Sequence, residues 1–168
     1  MTFKASDWHF TNARALFDAA RDAARECEKC RMQVEKLESS EGVKAQSYDS
    51  AVHGSGDSDP MRPTDRRIEF ERRKYGIIED DEALIDYAFY VLYGADRESG
   101  ASSLVGEFPA DVVWWHWLGD LTWTATANML DASESWCMSE SARLFHEVDK
   151  ARGGSDGFDQ IIGQAISV

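Results

Sequence analysis

The chain has 168 residues, 43 % apolar and 11 % aromatic with six Trp, which is enough to bury a core and excludes wholesale disorder. Its 18 Lys and Arg stand against 31 Asp and Glu, for a formal net charge of −13. No apolar run approaches the ~20 residues of a bilayer span, the start MTFKASDWHF lacks the apolar stretch of a signal peptide, and three cysteines without framework spacing point to a reducing cytoplasm.

Residues 6–38 read as one long helix. Ala13, Leu16, Ala20, Ala24, Cys27, Cys30, Val34 and Leu37 recur in steps of three and four, between charged faces. A rod of roughly 50 Å cannot bury this seam alone and calls for a partner helix. Residues 39–58 are rich in Ser and Gly and read as a loop. Asp59 is a good N-cap and Pro60 suits the first helical position. A second helix then runs to about Gly94, with Ile68, Tyr75, Ile78, Ile85, Ala88 and Leu92 spaced to face the first. Gly76 and the acidic run after it would allow a break there.

Residues 95–108 read as another loop. Pro109 opens a helix over 110–118 that holds Trp114, Trp115 and Trp117, and Gly119 ends it. A helix over 122–130 follows, then a turn at Asp131-Ala132. Ser133 caps a last main helix from Glu134 to about Ala151, and Gly153-Gly154 stops it. Phe158, Ile161, Ile162 and Ile166 form a patch that would dock as a short helix. The expected fold is all-α. It comprises a long antiparallel helical hairpin over residues 1–94, with its loop at 39–58, and a compact Trp-rich helix-turn-helix-like bundle with a tail over residues 95–168.

Cys27-x-x-Cys30 has the spacing of half a zinc site or of a redox pair. It falls in the middle of a helix on the apolar seam, and Cys137, His9, His53, His116 and His146 lie at unrelated spacings. Small buried cysteines are the better reading. The glycines of residues 54–60 lack the Lys of a phosphate loop, and no His is spaced to serve a nucleophile. The pattern carries no enzyme signature and calls for no catalytic residue, cofactor or metal.

Residues 121–149 place a helix, a four-residue turn and a Ser-capped second helix in succession. Thr122-Trp123, Ala127, Leu130, Ser133, Cys137 and Ala142-Arg143-Leu144-Phe145 resemble the DNA-reading region 4 of sigma factors. Taken with the long first helix, Ser47-Tyr48 and Val91-Leu92-Tyr93-Gly94, residues 6–150 resemble a family of phage and prophage transcriptional regulators of the sigma region 4-like type. That resemblance implies a phage protein in a host cytoplasm that binds DNA or RNA polymerase.

The charges depart from that family. Residues 1–76 hold 14 basic and 14 acidic side chains, whereas residues 77–168 hold 4 basic and 17 acidic. Glu134, Ser135, Trp136, Met138 and Ser139 occupy positions where such readers present Arg, Glu and Gln. Phosphate binding needs Lys and Arg, and the basic cluster Arg62, Arg66, Arg67, Arg72, Arg73 and Lys74 lies far away in sequence. Two acidic clusters, Glu79, Asp80, Asp81 and Glu82 and then Asp131, Glu134, Glu140, Glu147 and Asp149, with Trp136 and Met138 as apolar anchors, are the expected partner-binding residues. The expected partner is a basic protein surface, of a host nuclease or RNA polymerase. The protein would block nucleic-acid binding there, as DNA-mimic anti-CRISPR or anti-restriction inhibitors do. Direct nucleic-acid binding is less favoured, and no membrane is involved. Two other readings stay open: a regulator acting on DNA or polymerase through the helix-turn-helix, and a phage structural protein that forms homodimers through its rods.

Overall fold

Asn12 sets where the first helix begins. Its side-chain oxygen accepts the Ala15 N–H at 2.8 Å, and the Ala13 N–H is taken by Asp149 Oδ1 at 2.7 Å. Two donors that a helix start leaves orphaned are thereby satisfied, and α1 runs Ala13–Ala45, starting later than the apolar pattern predicts. The computed structural model describes residues 8–45, 62–155 and 157–163. α1 also ends later than expected. Ser39 and Ser40, read as loop residues, turn their hydroxyls back onto the carbonyls of Glu35, Lys36 and Leu37 and so stay helical.

α2 spans Arg62–Tyr93 and passes through Gly76 without a break, since a helix accepts an exposed glycine at a cost of only ~1 kcal/mol. Within the segment expected as a loop, the positive-φ glycines Gly100 and Gly106 bracket a short helix, α3 (Ala101–Val105). α4 follows at Glu107–Val113, with Pro109 inside its first turn. It widens into a π-helical segment at Trp114–Leu118. α5 is Trp123–Met129, α6 is Glu134–Arg152 and α7 is Asp159–Ile162. Every regular element among the described residues is helical, so the all-α expectation holds. The Asp59-Pro60 cap, residues 46–58 and Ile166 lie outside the described residues.

The chain divides into two compact units, Met1–Arg25 with Glu82–Val168 and, separately, Glu26–Asp81. The boundary expected near residue 94 therefore falls inside the first unit. The reason is packing: Tyr87, Val91 and Leu92 of α2 share a core with Leu16 and Phe17 of α1, Leu144, Phe145 and Val148 of α6, and Phe158 and Ile162 of the tail. α6 is the hub of this unit and packs against α3, α4, α5 and α7. The π-helical segment resolves the crowding of three tryptophans. Trp117 is buried against Phe145 and Trp123, while Trp114 and Trp115 remain half-buried.

In the second unit, Cys27 and Cys30 are buried beside Ile78, which agrees with their reading as packing residues. The expected α2 stripe is partly wrong here. Ile68 and Tyr75 are half exposed, at 49 % and 51 %. At 100° per residue, the positions in line with Ile78 are Arg67, Glu71, Lys74 and Asp81, and these, together with Ile77, are the half-buried ones. Arg67 and Glu71 pair at 3.1 Å, and Lys74 lies over the Phe70 ring. The apolar seam of α1 thus has a largely charged counterpart on α2.

Candidate functional site

The α5–α6 junction is built by two N-caps. Thr122 Oγ1 accepts the Ala125 N–H at 3.2 Å, and Ser133 Oγ accepts the Trp136 N–H at 3.2 Å. Asp131 takes positive φ in the turn between the helices, a conformation that Asp tolerates better than most residues. Val112, Ala127 and Cys137 form a small core beneath the junction, with Phe108 and Leu130 against it. Above this core Trp136 is 53 % exposed and Met138 42 % exposed, and the Trp136 ring lies 6.5 Å from that of Phe108. Glu134 accepts a hydrogen bond from Thr124 Oγ1 at 2.7 Å. Asp131, Glu134, Trp136 and Met138 are thus exposed on the turn and on the start of α6.

The other acids expected here do not join them. Glu140 is buried and grips Arg143 at 2.6 Å, and Arg143 also donates to the Val105 carbonyl. Asp149 takes the Ala13 N–H and an Arg152 N–H. Glu147 pairs with Lys150 at 3.9 Å. The exposed positions of α6 beyond Ser135 include Met138, Ser139, Ala142, His146 and Lys150, so the body of this helix does not present the acidic face expected from counting its carboxylates. The structural reason is that α6 is the hub, and its carboxylates hold neighbouring elements.

The run Glu79 to Glu82 straddles the division of the chain. In the second unit Glu79 and Asp80 are exposed. Asp81 is half-buried, and burial, then the charges of Glu26 and Asp80, push its carboxyl above the usual range. Glu82 is exposed in the first unit.

Sequence patterning did not flag a cleft in the first unit. The aromatic run Phe89, Tyr90 and Tyr93 at the end of α2 meets Trp114 and Trp115 of the π-helical segment. Two adjoining cavities of about 520 and 370 Å³ share Phe89 and Tyr93 as walls. The smaller is completed by Asp111, Trp114 and Trp115, while Arg97 and Glu107 line the larger. Phe89 stands 5.1 to 5.8 Å, centroid to centroid, from Tyr90, Tyr93 and Trp114. The Tyr93 hydroxyl donates to Asp111 Oδ1 at 2.6 Å. Burial, reinforced by that bond, raises the phenol above its ordinary value, so it stays a donor. The only available signal was two aromatic runs, and nothing in their spacing says that they meet.

His116 is packed rather than poised. It stacks on Trp123 with ring centroids 3.6 Å apart, and Arg21 Nη1 lies 3.4 Å from its Nε2. Burial, then the Arg21 charge, lowers its pKa. Beside it Asp120, at positive φ, is clamped by Arg21 at 2.7 Å and by Arg25 at 2.9 Å, and these bonds hold its carboxyl below the usual range.

No helix among the described residues is long and apolar enough to cross a membrane. What the fold and its surfaces define is an all-α protein with an acid-rich first unit and an open aromatic cleft. The chain matches no family model, no curated protein and no solved structure.

Proposed function

We propose that this protein is an acidic interaction module that occupies a basic protein surface, such as the nucleic-acid channel of a nuclease or polymerase, and excludes nucleic acid from it. One observation carries the reading. Six of the seven described Lys and Arg side chains of the first unit are engaged internally: Arg14, Arg21, Arg25, Arg143, Lys150 and Arg152 each form an ion pair with a carboxylate of the same unit, and the seventh, Arg97, is exposed and adjoins Glu98 in the chain. The exposed carboxylates Glu98, Glu107 and Asp131 form no such pair, so the outward field of this unit is negative. Such a field steers toward cationic protein and away from phosphate. Asp131, Glu134, Trp136 and Met138 form the contact, and the two apolar side chains supply burial at its centre. The module acts by occupancy, without chemistry of its own.

A second reading, a regulator acting on DNA or RNA polymerase through α5 and α6, is favoured by the two capped helices and their four-residue connection, and by the near-neutral exposed face of α6. One titration separates the two. Labelled duplex DNA in about 150 mM salt should not bind at micromolar concentration. A nuclease that the protein inhibits should escape inhibition by Asp131→Lys with Trp136→Ala. Micromolar duplex binding with a steep salt slope would reverse the choice.

A further inference from the structure

We propose that the aromatic cleft between the end of α2 and the π-helical segment receives an arginine side chain of a basic polypeptide. This rests on the interaction-module reading and deepens it, because it names the chemical group by which the partner is held. The smaller cavity, of about 370 Å³, has four aromatic walls and one carboxylate, Asp111. Phe89 is 36 % exposed there although it is a large apolar ring, and its rings of contact meet it at tilts of 44° to 73°. The tilted rings therefore leave an open aromatic depression rather than stacking it shut. An aromatic-walled space is attractive to cations, because each ring face carries negative quadrupole density.

Asp111 supplies the formal charge. Tyr93 holds Oδ1 in place at 2.6 Å, and the residue lines the cavity with one carboxylate oxygen not used by that bond. The two features together favour a guanidinium over an ammonium. A guanidinium is planar and weakly hydrated, so it lies against a ring while its edge donates to a carboxylate. An ammonium is compact and strongly hydrated, and it gives up more on entering. Arg97 lines the larger cavity and not the smaller one, so like-charge repulsion falls beside the seat rather than in it. Glu107 shares that larger chamber and offsets it.

The test uses the intact protein and three probes: labelled octa-arginine, labelled octa-lysine and tetramethylammonium. Octa-arginine should bind at least about threefold more tightly than octa-lysine. Asp111→Asn, which keeps an oxygen for Tyr93, and Phe89→Ala should each weaken octa-arginine about fivefold. Should Phe89→Ala fail to fold, Asp111→Asn alone decides. Octa-arginine binding that ignores both variants but falls on Asp131→Lys overturns the cleft assignment and leaves the interaction module standing. Equal or tighter binding of octa-lysine, or saturable binding of tetramethylammonium that displaces octa-arginine, also overturns the assignment in favour of another cation. If neither peptide binds at low salt, the interaction module falls, and the cleft assignment with it.

Discussion

Trp117 is the side chain on which the first unit should be tested. It is 3 % exposed and meets Phe145, Trp123 and His116 edge to face, with ring centroids 5.0, 5.6 and 4.7 Å away. Its indole N–H donates to Asp18 Oδ1 at 2.9 Å. Trp117→Ala removes a large buried ring and three aromatic contacts, and should cost about 3–5 kcal/mol. Trp117→Phe keeps most of the packing and loses the N–H, so its cost should be about 1–2 kcal/mol. The Asp18 side chain is 56 % exposed, so water replaces the donor lost in Trp117→Phe, whereas Asp18→Ala strands the indole N–H of a buried ring and should cost about 1–3 kcal/mol. The assay is urea unfolding followed by Trp emission. All six Trp lie in the first unit, so this signal reports that unit and not the other. Trp117→Ala costing less than about 1 kcal/mol, with an unchanged urea slope, would refute the placement of this ring at the heart of the core.

The second unit should open first. Its interior is Cys27, Cys30 and Ile78 beside a charged α2 stripe, so hydrogen exchange should be faster at Arg72–Ile78 amides than at Tyr87–Leu92. Asp81→Asn should protect it further at neutral pH: a carboxyl raised by burial destabilises the fold when ionised, and that penalty disappears only as pH falls through the raised value. His116 works in the opposite sense. Its lowered pKa means that the unfolded chain takes up a proton first, so its contribution to stability is complete above about pH 6.5 and lost as pH falls below; His116→Phe should flatten that slope in melting experiments. Gly100→Ala should sharply lower the first unit's melting temperature, because its Cβ would sit 2.4 Å from the Gly94 nitrogen at a φ of +87°.

Much of the helical plan was legible because its signals are local. Thr122 and Ser133 announce helix starts through their own hydroxyls, and Gly153 ends α6 at positive φ. The seam of α1 is readable for the same reason: a three-and-four spacing is a property of one helix. What could not be read depends on a distant partner. Asn12 starts α1 with help from Asp149, 136 residues away. The π-helical widening at Trp114–Leu118 accompanies the insertion of Trp117 into a core to which six other helices contribute. The α2 stripe is not legible from hydropathy, because the angular position of Ile68 and Tyr75, and not their apolar character, decides what they face.

The candidate site shows the same limit more sharply. Counting carboxylates over residues 121–149 treats every acid as a surface charge. Glu140 is the counterexample: placed one turn before Leu144 on the hub helix, it is drawn inward, and Arg143 follows to neutralise it. Such pairs leave the net charge of a segment unchanged while removing both members from the surface field. The exposed carboxylates of the first unit outside its ion pairs therefore include positions that sequence cannot weight, the turn acids Asp131 and Glu98 and the helix-start acid Glu107. It follows that Glu140→Lys is a poor probe of partner binding, since it strands Arg143 beside a second cation and should lower the melting temperature of the first unit by at least about 5 °C. Asp131→Asn removes the charge on an exposed turn with no ion pair to break and keeps a residue suited to the positive φ there, so it should leave the melting temperature within about 2 °C. A partner lost on Asp131→Asn, with the melt unchanged, can only have been reading the surface.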